Sequence, residues 1–150
     1  MKNLVIGQSG GPTAVINASL YGAVKAFRES GTDGHVLGMI NGIEGFLADH
    51  VMDLSTDLSE EELELLKLTP AAYLGSCRYK LPADLESEVY PAIFDNFREM
   101  NIGYFLYVGG NDSMDTVDKL SRYAEKIESD VKFIGIPKTI DNDLVLTDHT

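Results

Sequence analysis

The chain contains 150 residues, of which 44% are hydrophobic, and it carries a formal charge of -12 at pH 7. This length supports one compact core but not two large domains. The negative charge argues against nonspecific binding to DNA or to an anionic membrane, because both attractions require a positive surface. A phosphorylated ligand would therefore need local cations, a helix N-terminus or a metal ion.

Cysteine content and apolar runs give the expected compartment. Cys77 is the single cysteine, so an internal disulfide is impossible, and the first residues lack the regions of a signal peptide. Apolar runs such as residues 104–108 fall far below the roughly 20 residues that a membrane span requires. We therefore expect a cytoplasmic protein without a membrane or nucleic-acid partner.

The first predicted unit is a strand, a glycine turn and a helix. Residues 4–6 form a short apolar run that ends in the sequence GQSGGP, which is typical of a buried strand entering a turn. Between residues 14 and 29, apolar residues recur at helical spacing, so one stripe of the predicted helix can face a sheet. That stripe consists of Ile16, Leu20, Val24 and Phe27.

The second predicted unit begins with a candidate strand over residues 35–40. The glycine-bearing segment 41–45 after it is predicted to be irregular. Ser59 followed by Glu62 matches a capping box, which predicts the start of an acidic helix with a solvated glutamate face. The apolar positions of that helix are Leu63, Leu66 and Leu68.

The third predicted unit continues the alternation of helices and strands. A helix over residues 85–100 has Pro91 near its start, an apolar strand over 104–108 ends in two glycines, and a further helix and a strand over 131–136 follow. Strands that alternate with helices require crossover connections, so the sequence predicts an α/β fold, a three-layer sandwich with a mostly parallel sheet. Ligand chemistry is then expected at the carboxyl ends of the strands.

The first turn, GQSGGPTAVIN, is a candidate phosphate site. Gly10 and Gly11 allow backbone amides to approach an anion that the following helix N-terminus also favours. The motif matches neither the dinucleotide-binding fingerprint nor the P-loop. A tight turn without a ligand explains this segment nearly as well when it is considered alone.

The second turn, GGNDSMDT, carries Asn111 and Asp112 where a buried strand gives way to a helix. Oxygen ligands beside a helix N-terminus suit a magnesium phosphate. The alternative is a cluster of helix caps, because Asn, Asp and Ser are the preferred N-cap residues. We favour ligand binding for Asn111 and Asp112, and the capping role for Ser113 and Asp115.

The third turn, PKTIDND, places a cation, a hydroxyl and two carboxylates directly after a strand. Lys138 can bind phosphate as a point charge, and a carboxylate can accept the proton of a substrate hydroxyl during phosphoryl transfer. The alternative is an Asx-turn in which Asp141 and Asn142 satisfy the backbone of the loop.

Arg78, in the sequence GSCRYK, is the remaining candidate for binding an anion. Its guanidinium can hold two phosphate oxygens with parallel hydrogen bonds. A solvated surface arginine is the simpler explanation when this residue is considered alone. We interpret Cys77 beside it as a small buried neighbour.

Taken together and in this order, the sequences SGGPTAVINA, GSCRY, GGNDS and PKTIDND resemble the phosphofructokinase family over essentially the whole chain. The resemblance implies two similar α/β subdomains with the active site between them, of which residues 1–150 are the N-terminal, donor-binding portion. It also implies phosphoryl transfer to the 1-hydroxyl of fructose 6-phosphate, a step of glycolysis, with Mg²⁺ as the metal. The second subdomain and the clamp for the sugar 6-phosphate are expected outside this chain, which alone should be inactive. Full-length relatives are expected to be dimers or tetramers.

The resemblance assigns catalytic roles to Arg78 and to the third turn. Arg78 would stabilise charge on the phosphoryl group during transfer, and Asp141 would be the general base. Thr139 and Asp143 would help to place the sugar and the phosphoryl group, so that Thr139 and Asp141 also form part of the substrate site.

The resemblance also concerns the phosphoryl donor, which Gly10, Gly11 and Lys138 would contact. ATP-using relatives usually read GGDGS in the second motif and often PGTID in the third, whereas here Asp112 and Lys138 replace two glycines. This pair resembles the pyrophosphate-dependent members, and Asp112 decides the assignment because some ATP-using relatives also carry the lysine. The Asp112 carboxylate would occupy the path of a nucleotide α-phosphate and repel it by about 4 kcal/mol at about 4 Å in an effective dielectric of about 20.

The metal ligands implied by the resemblance are Asn111 and Asp112. The family commonly has aspartate at the position of Asn111, whose amide oxygen can bind Mg²⁺ or one of its waters but supplies no charge. Asp112 or Asp143 would then share that task.

Three other functions are compatible with the same residues. They are an ATP-dependent phosphofructokinase, a noncatalytic regulatory subunit of the same fold, and a flavodoxin-like module that binds a nucleotide or a phosphorylated metabolite. Intact Asp141 and Arg78 favour a catalytic subunit, because a regulatory copy has no need for a base beside a phosphate clamp.

Overall fold

The structure is a computed structural model that describes residues 2–139, 141 and 143–146. Strands and helices alternate along most of these residues, as the sequence predicts. In chain order the elements are β1 (Asn3–Gln8), α1 (Ile16–Glu29), β2 (Val36–Met39), α2 (Gly42–Leu47), β3 (Val51–Asp53), α3 (Glu60–Leu66), α4 (Val89–Glu99), β4 (Ile102–Gly109), α5 (Asn111–Lys126) and β5 (Lys132–Pro137).

The strands form one sheet in the order β3-β2-β1-β4-β5. β1 pairs in parallel with β2 and β4, and β4 pairs in parallel with β5. β3, which the sequence pattern does not predict, pairs antiparallel with β2 at one edge. The mostly parallel sheet is therefore confirmed, and it brings the carboxyl ends of β1, β4 and β5 to one end of the sheet.

Helices cover both faces of the sheet. Successive side chains of a strand point to opposite faces, so that Ile6 packs with α1 and α3 whereas Val5 packs with α2, α4 and α5. The second face is rich in aromatic rings, and the ring centroid of Phe97 lies 5.0 Å from that of Phe94 and 5.7 Å from that of Phe105. The predicted three layers are confirmed.

Helices α1 and α3 follow the sequence signals closely. Ile16 and Leu20 on the predicted stripe of α1 have no exposed surface. In the capping box of α3, the backbone N–H of Glu62 donates to Ser59 Oγ at 3.2 Å, and the N–H of Ser59 donates to the Glu62 carboxylate at 2.9 Å. The prediction for Leu68 is wrong, because this residue lies beyond the end of α3 and is 81% exposed.

The segment after β2 also differs from the prediction. It is not irregular but forms α2, whose N-cap Asn41 has a left-handed backbone with φ of 58°. A Cβ atom at Gly45 would lie 1.5 Å from the carbonyl oxygen of Ile40, so only glycine fits this contact. Glycine lowers helix propensity, and a residue required by packing therefore obscures the helix in the sequence.

The connection between α3 and α4, residues 67–88, contains neither helix nor strand and carries Arg78. Helix α4 then begins at Val89 with Pro91 in its first turn, where the missing N–H of proline costs no helical hydrogen bond. Over the residues described, none of the helices combines the length and the apolar character that crossing a membrane requires.

Candidate functional site

A cleft of about 400 Å³ opens at the carboxyl ends of β1, β4 and β5. It unites segments that the sequence spreads over about 130 residues, as expected for the carboxyl end of a parallel sheet. Its walls are the first turn (Ser9, Gly10, Gly11), the loop residues Cys77, Arg78 and Tyr79, the start of α5 with its N-cap (Gly110, Asn111, Asp112, Ser113), and Lys138.

The first turn presents its backbone to the cleft. Gly10 has φ of +76°, which favours glycine, and a Cβ atom at Gly10 or Gly11 would meet no atom within 4 Å. The space beside both residues is therefore open to a ligand. Ser76 Oγ donates to the Gly10 carbonyl at 2.6 Å, and Ser9 Oγ donates to the Cys77 carbonyl at 3.2 Å, so the loop that carries Arg78 is attached to this turn.

The start of α5 packs closely against the first turn. A Cβ atom at Gly109 would lie 2.1 Å from Ser113 Oγ and 2.9 Å from the carbonyl oxygen of Ser9. Gly110 occupies the N-cap, so Asn111 and Asp112 are the first helical residues and do not cap the helix. Both residues line the cleft at the positive end of the helix dipole.

Asp112 has a partner that the sequence analysis missed. Lys80 Nζ lies 3.1 Å from the Asp112 carboxylate, and the two side chains are 70% and 73% exposed. Lys80 follows Arg78 by two residues, a spacing that places both side chains on one side wherever the chain is extended. That spacing is the sequence signal that could have identified Lys80. The carboxylate therefore stands at the solvent-facing mouth of the cleft, where a cation offsets its charge.

Lys138 joins the third turn to the other two. Its side chain is buried, and its ammonium donates to the carbonyl of Gly11, 127 residues away in sequence. Its backbone N–H donates to the carbonyl of Gly109 at 2.9 Å. A buried ammonium is costly unless it is compensated by hydrogen bonds or by an anion, so an anion in the cleft would stabilise Lys138; its contact with the phosphoryl donor stays a prediction.

Thr139, Asp141 and Asp143, the described residues that follow Lys138 in the third turn, are not part of the cleft lining. Thr139 Oγ1 donates to the Asp143 carboxylate at 3.2 Å and accepts from the backbone N–H of Asp141 at 3.0 Å. Thr139 thus organises the local backbone, whereas Asn142, the other residue of the predicted Asx-turn, lies outside the described residues. The carboxylates of Asp141 and Asp143 are exposed.

A buried hydroxyl supports the floor of the cleft. Tyr107 Oη lies 3.7 Å from Cys77 Sγ and accepts a hydrogen bond from the backbone N–H of Ile43 at 3.4 Å. Burial raises the pKa of the Tyr107 phenol well above its ordinary value, so this group stays neutral. Cys77 is 6% exposed, which confirms its interpretation as a small buried neighbour.

The charge around the cleft favours an anion. Arg78 and Lys138 contribute two cations, and Asp112 is the only acidic residue among the described residues that line the cleft. No group of three His, Cys, Asp or Glu side chains suited to a metal ion occurs in the described part of the chain. The arrangement can therefore hold a phosphate or diphosphate between backbone amides and two cations.

Comparisons with known proteins agree with this geometry. The sequence profile described as Phosphofructokinase matches residues 3–150. Two relatives are named pyrophosphate--fructose 6-phosphate 1-phosphotransferase. The protein from Rhodospirillum rubrum is 42% identical over 98% of this chain, and the protein from Halomonas elongata is 44% identical over 99% of it. A protein from Vibrio cholerae named ATP-dependent 6-phosphofructokinase is 28% identical over the whole chain.

The fold is also similar to that of solved phosphofructokinase structures. The crystal structure of a pyrophosphate-dependent phosphofructokinase from Nitrosospira multiformis superposes on 99% of this chain with a TM-score of 0.89 and 40% identity. The chain spans only about a third of these longer proteins, 35% of the Rhodospirillum rubrum relative and 36% of the Nitrosospira multiformis structure.

Proposed function

This chain belongs to the phosphofructokinase family, and we propose that the complete protein transfers a phosphoryl group reversibly from inorganic pyrophosphate to the 1-hydroxyl of fructose 6-phosphate. The product is fructose 1,6-bisphosphate, which makes the reaction a step of glycolysis. The observation that carries the proposal is the meeting of Gly11, Arg78, Asp112 and Lys138 around one cleft. The names of the relatives that are 42–44% identical support pyrophosphate as the donor.

Pyrophosphate binds in the cleft through its charge. Gly10 and Gly11 offer open backbone, the N-terminus of α5 adds its positive dipole, and the Lys138 ammonium provides a charge that is already held in place by the Gly11 carbonyl. Because Lys138 is ordered before the donor arrives, little side-chain entropy is lost on binding. The donor oxygens compensate this buried cation, which the neutral carbonyl only partly satisfies.

Donor choice lies with Asp112 and Lys80 at the mouth of the cleft. A nucleotide requires room there for its α-phosphate and base, whereas pyrophosphate ends before this point. The ion pair makes the repulsion smaller than the roughly 4 kcal/mol expected for an isolated carboxylate. The exclusion of ATP therefore combines the bulk of two paired side chains with the residual negative charge of Asp112.

Phosphoryl transfer uses positioning and electrostatics rather than a covalent intermediate. Arg78 stabilises the charge that spreads over the transferring oxygens, and the Asp141 carboxylate accepts the proton of the sugar hydroxyl. Thr139 bonds to the Asp143 carboxylate and to the Asp141 backbone, which fixes the turn that presents this base. Asp141 is exposed in this chain, and the substrate together with the second subdomain would cover it.

Mg²⁺ fits this cleft only as a metal that is bound largely through the phosphate oxygens. Asn111 and Asp112 supply two oxygen-bearing side chains at the start of α5, and Mg²⁺ commonly uses one or two protein ligands with phosphate and water. When bound, it would neutralise charge on the donor. We predict that exhaustive chelation abolishes turnover and that added Mg²⁺ restores it; full activity after chelation would contradict this role.

The complete protein contains a second, similar α/β subdomain, and residues 1–150 form the donor-binding portion. The length of the relatives, of which this chain spans about a third, supports this division. The charge of -12 argues against nucleic-acid and anionic-membrane partners, and the single, buried Cys77 supports a cytoplasmic location. A homo-oligomer, a dimer or tetramer, is proposed for the complete protein on the family resemblance alone.

A donor comparison tests the proposal. The complete protein is incubated with fructose 6-phosphate and either pyrophosphate or ATP, and fructose 1,6-bisphosphate is measured by chromatography. We expect pyrophosphate to be preferred by about a hundredfold or more in kcat/KM, and Asp112→Gly, with or without Lys138→Gly, to raise activity with ATP. Lys126→Met, at the far end of α5 from the cleft, is the control. A wild-type preference for ATP would refute the donor assignment, and binding without turnover would favour a regulatory subunit.

A further inference from the structure

The loop that carries Arg78 is long and irregular, and it has to be held by side chains rather than by a helix or a sheet. Residues 67–88 contain no regular element, so their backbone groups depend on hydrogen bonds from elsewhere in the molecule. Arg78 can act on a ligand in the cleft only if this loop has one fixed position relative to the first turn.

Two buried amides from outside the loop provide that attachment. Asn17 Nδ2 donates to the carbonyls of Thr69 at 2.8 Å and Ala71 at 2.6 Å, and Asn17 Oδ1 accepts from the backbone N–H of Tyr73 at 2.9 Å. Four loop residues are bound in all, because the N–H of Leu74 donates to Gln8 Oε1 at 2.9 Å.

The two amides also bind each other and close the first turn at its base. Gln8 Nε2 donates to Asn17 Oδ1 at 2.9 Å and to the carbonyl of Ile16 at 3.1 Å. Gln8 is the last residue of β1 and Asn17 is the second residue of α1, so they stand on either side of the glycine turn. Both are 0% exposed, and every N–H of the two amide groups has an acceptor.

We propose that Gln8 and Asn17 form an amide clamp that positions Arg78 against Gly10 and Gly11 for phosphoryl transfer. The clamp fixes the loop four residues before Arg78, and the bonds of Ser9 and Ser76 between the first turn and the loop continue it. Gln8 and Asn17 are positioning residues, since neither lines the cleft. A misplacement of a reacting group by about 1 Å can cost about a hundredfold in rate. This inference rests on the proposed phosphotransferase function.

The kinetic test is a double-mutant cycle in the complete protein. Asn17→Ala is expected to lower kcat by about 10- to 100-fold, while Asn17→Ala added to Arg78→Ala lowers it by less than about threefold, because Arg78 is then no longer there to be misplaced. Equal losses in both backgrounds would overturn the clamp. So would a kcat of Asn17→Ala equal to that of the control.

The control is Asn3→Ala at the other end of the sheet. Asn3 Nδ2 donates to the Met100 carbonyl at 2.8 Å, and Asn3 Oδ1 accepts from the N–H of His35 at 2.9 Å, so this substitution also removes amide hydrogen bonds to backbone. It should lower thermal stability without changing kcat. If Asn17→Ala does not fold, Gln8→Met replaces it in the same cycle, since methionine keeps the side-chain volume and removes the bond to Leu74.

Hydrogen exchange provides a readout that does not depend on activity. The backbone amides of Tyr73 and Leu74 should exchange at least about tenfold faster in Asn17→Ala than in Asn3→Ala, and unchanged exchange would overturn the clamp. If wild type transfers phosphate from neither pyrophosphate nor ATP, the proposed function fails, and exchange alone then decides whether the clamp holds the loop.

Discussion

Two hollows of nearly equal size lie at opposite ends of the sheet. The cleft at the carboxyl ends has a volume of about 400 Å³, and a hollow at the amino ends has about 410 Å³. The first contains Ser9 and Lys138, which are 6% and 9% exposed. In the second, the charged pair Lys2 and Asp130 is 46% and 78% exposed, with 3.7 Å between the Nζ atom and the carboxylate.

Volume therefore does not separate these two ends of the molecule, but the burial of polar groups does. Burying a charge or a hydroxyl costs free energy unless it is paired, so the fold places such groups only where specific partners hold them. The carboxyl end also receives the N-terminus of α5, whose dipole favours anions, whereas helix C-termini converge at the amino end. We expect substitutions at the two ends to have very different effects.

The largest expected difference concerns catalysis. Asp141→Asn should lower kcat of the complete protein by about 10²- to 10⁴-fold, because an amide cannot accept the proton of the sugar hydroxyl. Asp130→Asn in the amino-end hollow is the matched substitution and should leave kcat unchanged. Steady-state kinetics with pyrophosphate and fructose 6-phosphate measures both. Unchanged turnover in Asp141→Asn would show that Asp141 is not the general base.

The next difference concerns packing within one strand, β4. A methyl group at Gly109 would meet Ser113 Cβ at 2.6 Å and the backbone oxygen of Ser9 at 2.9 Å, whereas at Gly103 its three nearest neighbours would be atoms of the Lys2 side chain. Gly109→Ala should therefore lower the free energy of unfolding by about 1–3 kcal/mol, and Gly103→Ala by less. Denaturant unfolding measures the free energy of unfolding of both variants. Equal losses in the two variants would contradict this prediction.

The smallest effect is expected at the mouth of the cleft. Lys80→Met leaves the Asp112 carboxylate unpaired, and its negative charge should raise KM for pyrophosphate roughly fivefold with little change in kcat, as an exposed pair is worth at most about 1 kcal/mol. The control is Lys126→Met, which removes the exposed pair with Glu86. A KM that stays at the wild-type value would show that this pair does not influence the donor.

The predictability of the elements depended on whether local signals and packing agreed. The capping box of Ser59 and Glu62 and the spacing of Ile16 and Leu20 are local, and the helices they predict are present. Helix α2 was missed because Gly45, which a packing contact requires, is a poor helix former. The three-residue strand β3 carries too short a pattern to be read without its partner β2.

The candidate site divides in the same way. The glycine turn, Asp112 and Lys138 were found in the sequence because each lies in a turn directly after a strand, whereas Arg78 was a candidate anion-binding residue whose role came from the family resemblance. Lys80 was missed although its spacing from Arg78 is a local signal, because its importance comes from Asp112, a residue 32 positions away, and no local pattern contains both.

The sequence by itself determined the order of the strands and helices other than α2 and β3, the α/β class and the residue types available at each turn, because these depend on neighbours within a few positions. Only the tertiary structure decided which of them meet: the Lys138 ammonium on the Gly11 carbonyl, Lys80 on Asp112, and Gln8 with Asn17 on the loop before Arg78. Contacts of this kind join segments far apart in the chain, and their geometry exists only once the sheet has brought the strand ends together.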